Sequence, residues 1–189
     1  MNNFIKICLS IPFVYGLTFA SDQTVDITCF TLDDSKTKII NYDAICGPDV
    51  VIPNTITEIG DYAFSGKNIQ KVVIPKSVKN IDYHAFANNK LSKVDIPDSV
   101  IEIGVSAFAN NQILDINLGN NIRTIDLSAF FNNKLVAVTI PASVVKIKDY
   151  AFCSNLIDEA GITILGDNPD KFNSQLDDIF CFGKSNRKL

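Results

Sequence analysis

The chain has 189 residues, with 17 Lys and Arg against 21 Asp and Glu, a formal net charge of −4. That length suits one ordinary domain with a real core, and 47% hydrophobic residues exclude a disordered chain. The acidic balance argues against a nucleic-acid binder, and a single His leaves little room for a His-rich metal site or a two-His mechanism.

The first element, residues 1–20, reads as an address. Lys6 is the only charged side chain before Asp22. The uncharged stretch 7–20 falls short of the roughly 20 apolar residues a bilayer span needs. A short basic start, an apolar middle and small residues at Thr18 and Ala20 match a secretory signal cut before Ser21. A buried N-terminal strand or helix is the alternative. Cys8 lies too early, and after the wrong residues, to be a lipoprotein attachment cysteine. The mature chain is therefore expected to be exported, with no transmembrane segment: periplasmic, cell-surface or secreted.

Residues 51–160 are governed by a period of 22. Ala-Phe recurs as Ala63-Phe64, Ala85-Phe86, Ala107-Phe108, Ala129-Phe130 and Ala151-Phe152. Ile59, Ile81, Ile103, Ile125 and Ile147 keep the same period, as do Ile52, Ile74, Ile96, Leu118 and Ile140. Five units thus run over 51–160 without an insertion. Within a unit, Val94 and Ile96 alternate with polar neighbours, as in a half-buried strand. A Pro follows at 53, 75, 97 and 141, where it stops the ladder; Gly119 replaces it once. The second half, 99–108, spaces its inward residues by three to five, which predicts a short helical or 3₁₀ return segment. One unit cannot bury its own apolar side, so stacking must put strand on strand and Phe64, Phe86, Phe108, Phe130 and Phe152 in one ladder. A polar column, Asn89, Asn111, Asn133 and Asn155, is placed to bond the turn backbone of its own and the next coil. The turn preference of Asn alone is the alternative.

The units VVIPKSVKNIDYHAFANNKLSK and VDIPDSVIEIGVSAFANNQILD resemble the BspA-type leucine-rich repeat family. Unit 4 departs at Leu118-Gly119 and unit 5 at Lys148, where Gly or Asp stands in the others. The resemblance implies a right-handed α/β repeat solenoid with one parallel sheet of short strands and short helical or 3₁₀ returns. It also implies binding at a bacterial or protist surface, including adhesion to host proteins, and offers no catalytic residues to carry over.

A solenoid exposes core and strand edges at both ends. Residues 21–50 and 161–189 are the expected caps. The mature chain keeps four Cys, an even number in an oxidising compartment. Cys29–Cys46 and Cys153–Cys181 put one staple at each end, whereas the other connectivities link opposite ends, beyond the reach of a disulfide. Free buried thiols are the alternative. A helix is expected over 169–182, with Asn168 as cap, Pro169 first, Phe172, Leu176, Ile179 and Phe180 on one face, and Gly183 as stop.

Little in the chain suggests chemistry. His84 sits in a variable column with Tyr62, Ser106, Ser128 and Tyr150, and no nucleotide, protease or EF-hand motif appears. No catalytic residue, metal or cofactor is expected. The outward strand positions Lys71, Lys93, Asp95, Asp115, Asn117 and Thr139 are the candidate contacts for a protein or glycan partner. Several usually polar columns turn apolar in units 3 and 4: Ile101, Val105, Leu114, Leu127, Phe131 and Val136. If they share one side, they form a patch for a partner or for self-association, which would make the chain a structural envelope component. Partial burial between coils is the competing reading.

Overall fold

The computed structural model describes residues 26–167 and 172–182. The expected signal segment 1–20, and the expected helix start at Asn168 and Pro169 and stop at Gly183, lie outside them. The strands are β1 Phe30–Leu32, β2 Lys38–Tyr42, β3 Asp49–Val51, β4 Glu58–Ile59, β5 Lys71–Val73, β6 Asn80–Ile81 and β7 Lys93–Asp95. There follow β8 Glu102–Ile103, β9 Asp115–Asn117, β10 Thr124–Ile125, β11 Val138–Ile140, β12 Lys146–Ile147 and β13 Ile162–Ile164. They build a β-solenoid of about six turns.

The continuous sheet is not where the sequence pattern puts it. It runs β1-β2-β4-β6-β8-β10-β12, through the half of each coil expected to be helical. All its pairings are parallel except the β1–β2 hairpin. The strands expected to form one sheet instead pair two by two: β3 with β5, β7 with β9, β11 with β13. A third line of inter-coil bonds follows the turn before and through the Phe column. Ser106 N–H donates to the Leu127 carbonyl at 2.9 Å, Phe108 N–H to Ala129 at 2.8 Å and Asn110 N–H to Phe131 at 2.9 Å. Ser106 and Asn110 adopt φ of 53° and 56°, and their counterparts in the other coils do the same. A left-handed residue at each coil's turn cannot continue a helix, which is why no return helix forms.

These three ladders enclose one core. Phe64, Phe86, Phe108, Phe130 and Phe152 are buried and stack with centroids 4.8–5.3 Å apart. Tyr42 continues the stack at one end, and Phe180 and Phe182 at the other. The isoleucine column of the continuous sheet joins the same core, with Ile59, Ile81, Ile103, Ile125 and Ile147 all buried.

The C-terminal helix is shorter than expected. A 3₁₀ turn, Asn173–Gln175, leads into α1, Leu176–Phe180, which ends at Cys181 in a left-handed conformation. Phe172, Ile179 and Phe180 are buried, and Leu176 is half-buried, as its apolar face requires. The helix stops early because its last carbonyls are used elsewhere. Tyr150 N–H donates to the Asp178 carbonyl at 2.7 Å, and Phe152 N–H to Ile179 at 3.0 Å. Orphan carbonyls of a helix end thus meet orphan donors of the last coil. Cys29 bonds Cys46, with Cα atoms 5.9 Å apart, and Cys153 bonds Cys181 at 5.2 Å.

Both departures in the repeat pattern have local causes. Lys148 Nζ pairs with the buried Asp126 at 2.8 Å, in the same column one coil back. Gly119 sits where coils approach closely: a Cβ there would lie 2.5 Å from the Pro97 carbonyl oxygen and 2.7 Å from its carbon. Asp98 ties the same edge, accepting from the Asn120 N–H at 2.8 Å while its carbonyl accepts from Asn121 Nδ2 at 2.9 Å. Gly119→Ala is therefore expected to cost about 1–3 kcal/mol through overpacking against rigid backbone. Urea unfolding measures it, and a midpoint matching that of Lys79→Ala would show that the coils yield freely there.

Candidate binding surface

The outward positions of β5, β7, β9 and β11 form one exposed face. Lys71, Lys93, Asp95, Asp115, Asn117 and Thr139 are all exposed. Parallel register puts Lys93 beside Asp115 and Asp95 beside Asn117. Lys93 Nζ lies 3.0 Å from Asp115 and 3.8 Å from Asp95, and the Asp115 bond, then the charges of both carboxylates, raise its pKa. Such exposed pairs add little stability. The column runs from basic Lys71 and Lys93 to acidic Asp115 over repeating strands, and Glu159, two coils on, opens a 3₁₀ turn instead.

No strand pairing links β5 to β7, and the break leaves a cleft lined by Lys71, Val73, Ile74, Lys93 and Asp95. A larger cleft, of about 510 Å³, lies beside it, with Lys76, Asp95, Asp98, Asn117 and Asn121 on its polar walls and Ile74 and Pro97 below. A further one, of about 410 Å³, continues past Asp98 to Arg123 and Ser143. These clefts offer donors, acceptors and both charges to a polar ligand.

The apolar columns do not share one side. Ile101 precedes β8 on the continuous sheet, Val105 and Leu127 lie on the turn, and Leu114 and Val136 precede β9 and β11. Leu114 and Val136 are 55% and 59% exposed, whereas Phe131 and Val105 are half-buried. The Asn column is buried or nearly so, and it faces backward rather than forward. Asn111 Oδ1 accepts the Leu91 N–H of the preceding coil, and its Nδ2 donates to the Phe86, Phe108 and Ala109 carbonyls. Asn89, Asn133 and Asn155 repeat this geometry.

The sequence reading missed a charged and aromatic corner. Lys38 Nζ bonds both Glu58 and Asp82, the latter at 2.8 Å, which raises the lysine pKa well above its ordinary value. The Lys38 bond holds Glu58 low, while burial pushes Asp82 up. Next to them Tyr62, Tyr83 and His84 come together. Laying neighbouring columns side by side would have found this cluster, because Tyr83 and His84 lie 21 and 22 residues after Tyr62. His84 itself faces no nucleophile–orienter pair in this group.

Stacked coils with constant inward columns and varied outward ones define a leucine-rich-repeat solenoid, a fold whose members are generally non-enzymatic binding modules. The sequence model of the BspA type leucine rich repeat region matches residues 42–157 in six copies, more than half of the chain, and the chain belongs to that family. The family is typical of surface proteins. The fold is similar to that of the pneumococcal vaccine antigen PcpA, at 21% identity and a TM-score of 0.58, over 72% of this chain and 34% of that one. It is also similar to a leucine rich cell surface protein from Faecalibacterium prausnitzii A2-165, at 21% identity and a TM-score of 0.50, over 71% and 52% of the two chains. This chain therefore spans about a third and about half of those two proteins. No curated protein matches it. Among the described residues no helix is long and apolar enough to cross a membrane.

Proposed function

We propose that the chain is an exported binding module that engages a protein or glycan partner through the strand face of Lys71, Lys93, Asp95, Asp115, Asn117 and Thr139. Adhesion to a host is the finer reading. Residues 1–20 are removed as a signal peptide, 51–160 display the repeat surface, and 21–50 and 161–189 close its ends. One observation carries this reading: polar clefts open on a face whose side chains change from coil to coil over an unchanging backbone. The test is a glycan array and a pull-down from host-matrix extract with a Lys93→Glu/Asp115→Lys variant. Reversed charge should abolish capture and leave the melting temperature within a few degrees. Unaltered capture would remove the face from consideration.

Leu114 and Val136 favour a second reading, a self-associating envelope component. Both are exposed and occupy one column in adjacent coils. Under it, light scattering reports an oligomer that Leu114→Ser/Val136→Ser dissolves.

A further inference from the structure

Tyr62, Tyr83 and His84 belong to two neighbouring coils and meet outside the core. Ring centroids lie 5.2 Å apart for Tyr62–Tyr83, 5.2 Å for Tyr62–His84 and 4.2 Å for Tyr83–His84. Tyr62 is 52% exposed and Tyr83 40%. Burial therefore does not explain the rings.

Backbone conformation sharpens the point. Tyr62 and His84 have φ of 57° and 52°, a left-handed conformation that bulky side chains rarely adopt and that Gly or Asn fills more readily. Ser106 and Ser128 hold the same position one and two coils beyond His84. The fold does not require a ring there. An exposed ring at Tyr62 and a half-buried one at His84, both kept at a conformational cost, point to use.

The charge around them selects a ligand. Asp61 is exposed, and one of its oxygens accepts the Tyr83 N–H at 3.1 Å, which fixes the carboxylate beside the rings. Asp61 thus sets a negative charge against the rings, while Glu58 and Asp82 are already engaged by Lys38. Aromatic faces attract cations, and a guanidinium stacks flat on a ring while its N–H fork meets a carboxylate. A neutral sugar can stack on a ring and donate hydroxyls to Asp61, but only a cation adds direct charge attraction to both the ring faces and the carboxylate. We propose that Tyr62, Tyr83, His84 and Asp61 form a docking site for an arginine side chain of a protein partner. The site uses neither Lys93 nor Asp115, so it goes beyond the strand-face reading and stands or falls separately from it.

His84 is the only His in the chain, so its imidazole C–H signals are a unique reporter in proton NMR. The purified chain is titrated with acetyl-(Gly-Arg)₃-amide, with the matching Gly-Glu peptide and with maltohexaose. The arginine peptide should shift the His84 signals saturably, and added salt should weaken the effect. The other two probes should leave the signals in place. Asn suits the left-handed backbone, so Tyr62→Asn should keep the fold and cut affinity at least tenfold. Asp61→Asn should cut it at least threefold, and Tyr150→Asn, in the same column on a distant coil, should leave it unchanged. If Tyr62→Asn fails to fold, Asp61→Asn decides. The proposal is overturned by no saturable shift with the arginine peptide, by an equal response to the glutamate peptide or the sugar, or by full affinity in the folded Tyr62 and Asp61 variants.

Discussion

Replacing Phe108 with Ala is expected to cost about 3–5 kcal/mol, the usual range for emptying a buried aromatic site. Phe108 is fully buried in mid-stack, with Phe86 and Phe130 centroids at 5.2 and 5.3 Å. Two aromatic contacts disappear with it, each contributing about 0.5–1.5 kcal/mol beyond area burial. The neighbours have little freedom to close the gap. Coil spacing there is set by backbone bonds on either side of the ring, such as Phe86 N–H to the Ala107 carbonyl at 2.7 Å and Phe108 N–H to Ala129 at 2.8 Å. For a chain of this size the loss corresponds to a melting shift of about 6–20 °C. Because each coil rests on its neighbours alone, a central defect also weakens the coupling between the two halves. Phe108→Leu should fall between wild type and Ala. The expectation fails if thermal melting of Phe108→Ala moves no further than that of Lys79→Ala.

The core was legible in the sequence because a stack repeats its inward columns at one period. Ile59 and its counterparts, and Phe64 and its counterparts, are all buried where the pattern places them. Secondary structure was less legible. Within the repeats the continuous sheet is made of two-residue strands such as Glu102–Ile103, too short for an alternating pattern to show. Each turn has two left-handed positions: the first, Tyr62, His84, Ser106, Ser128 and Tyr150, is never Gly or Asn and gives no signal, whereas the second, Gly66, Asn88, Asn110, Asn132 and Ser154, carries the usual one in four coils of five. Helix length at the C-terminus depended on which N–H groups of the last coil lacked partners, a tertiary fact that no local pattern carries. The Lys93–Asp115 pair follows directly from the period, whereas the clefts beside β5 and β7 follow from a break in pairing that the period conceals. The aromatic corner arises from two adjacent columns, Tyr83 in one and Tyr62 with His84 in the other, and a reading of one column at a time separates them.

The Asn column separates a turn preference from a structural bond. Asn111 is buried and engages four backbone groups: one N–H through Oδ1 and three carbonyls through Nδ2, the latter at 2.9, 3.1 and 3.3 Å. Leu91 and Phe86 lie in the preceding coil, so a single side chain closes the seam between two coils. Removing it strands buried polar groups, each at a cost of about 1–3 kcal/mol. Asn111→Ala is accordingly expected to lose about 2–4 kcal/mol, with the cavity small and the unpaired groups dominant. Asn111→Asp is the sharper test. Asp favours turns much as Asn does and can still accept the Leu91 N–H. It cannot donate while ionised, and it would set a carboxylate against three carbonyl oxygens. If the column serves the turn alone, Asp should be tolerated at neutral pH. If it serves the seam, Asp should be at least as damaging as Ala at pH 7 and should recover as pH falls, because protonation restores one donor. The sign follows from linkage: a carboxylate so placed has its folded pKa raised, so stability is lost as pH rises through the carboxylate range. Urea midpoints of the two variants at pH 5 and pH 7 measure it, and an Asp variant equal to wild type at both would return the column to a plain turn preference.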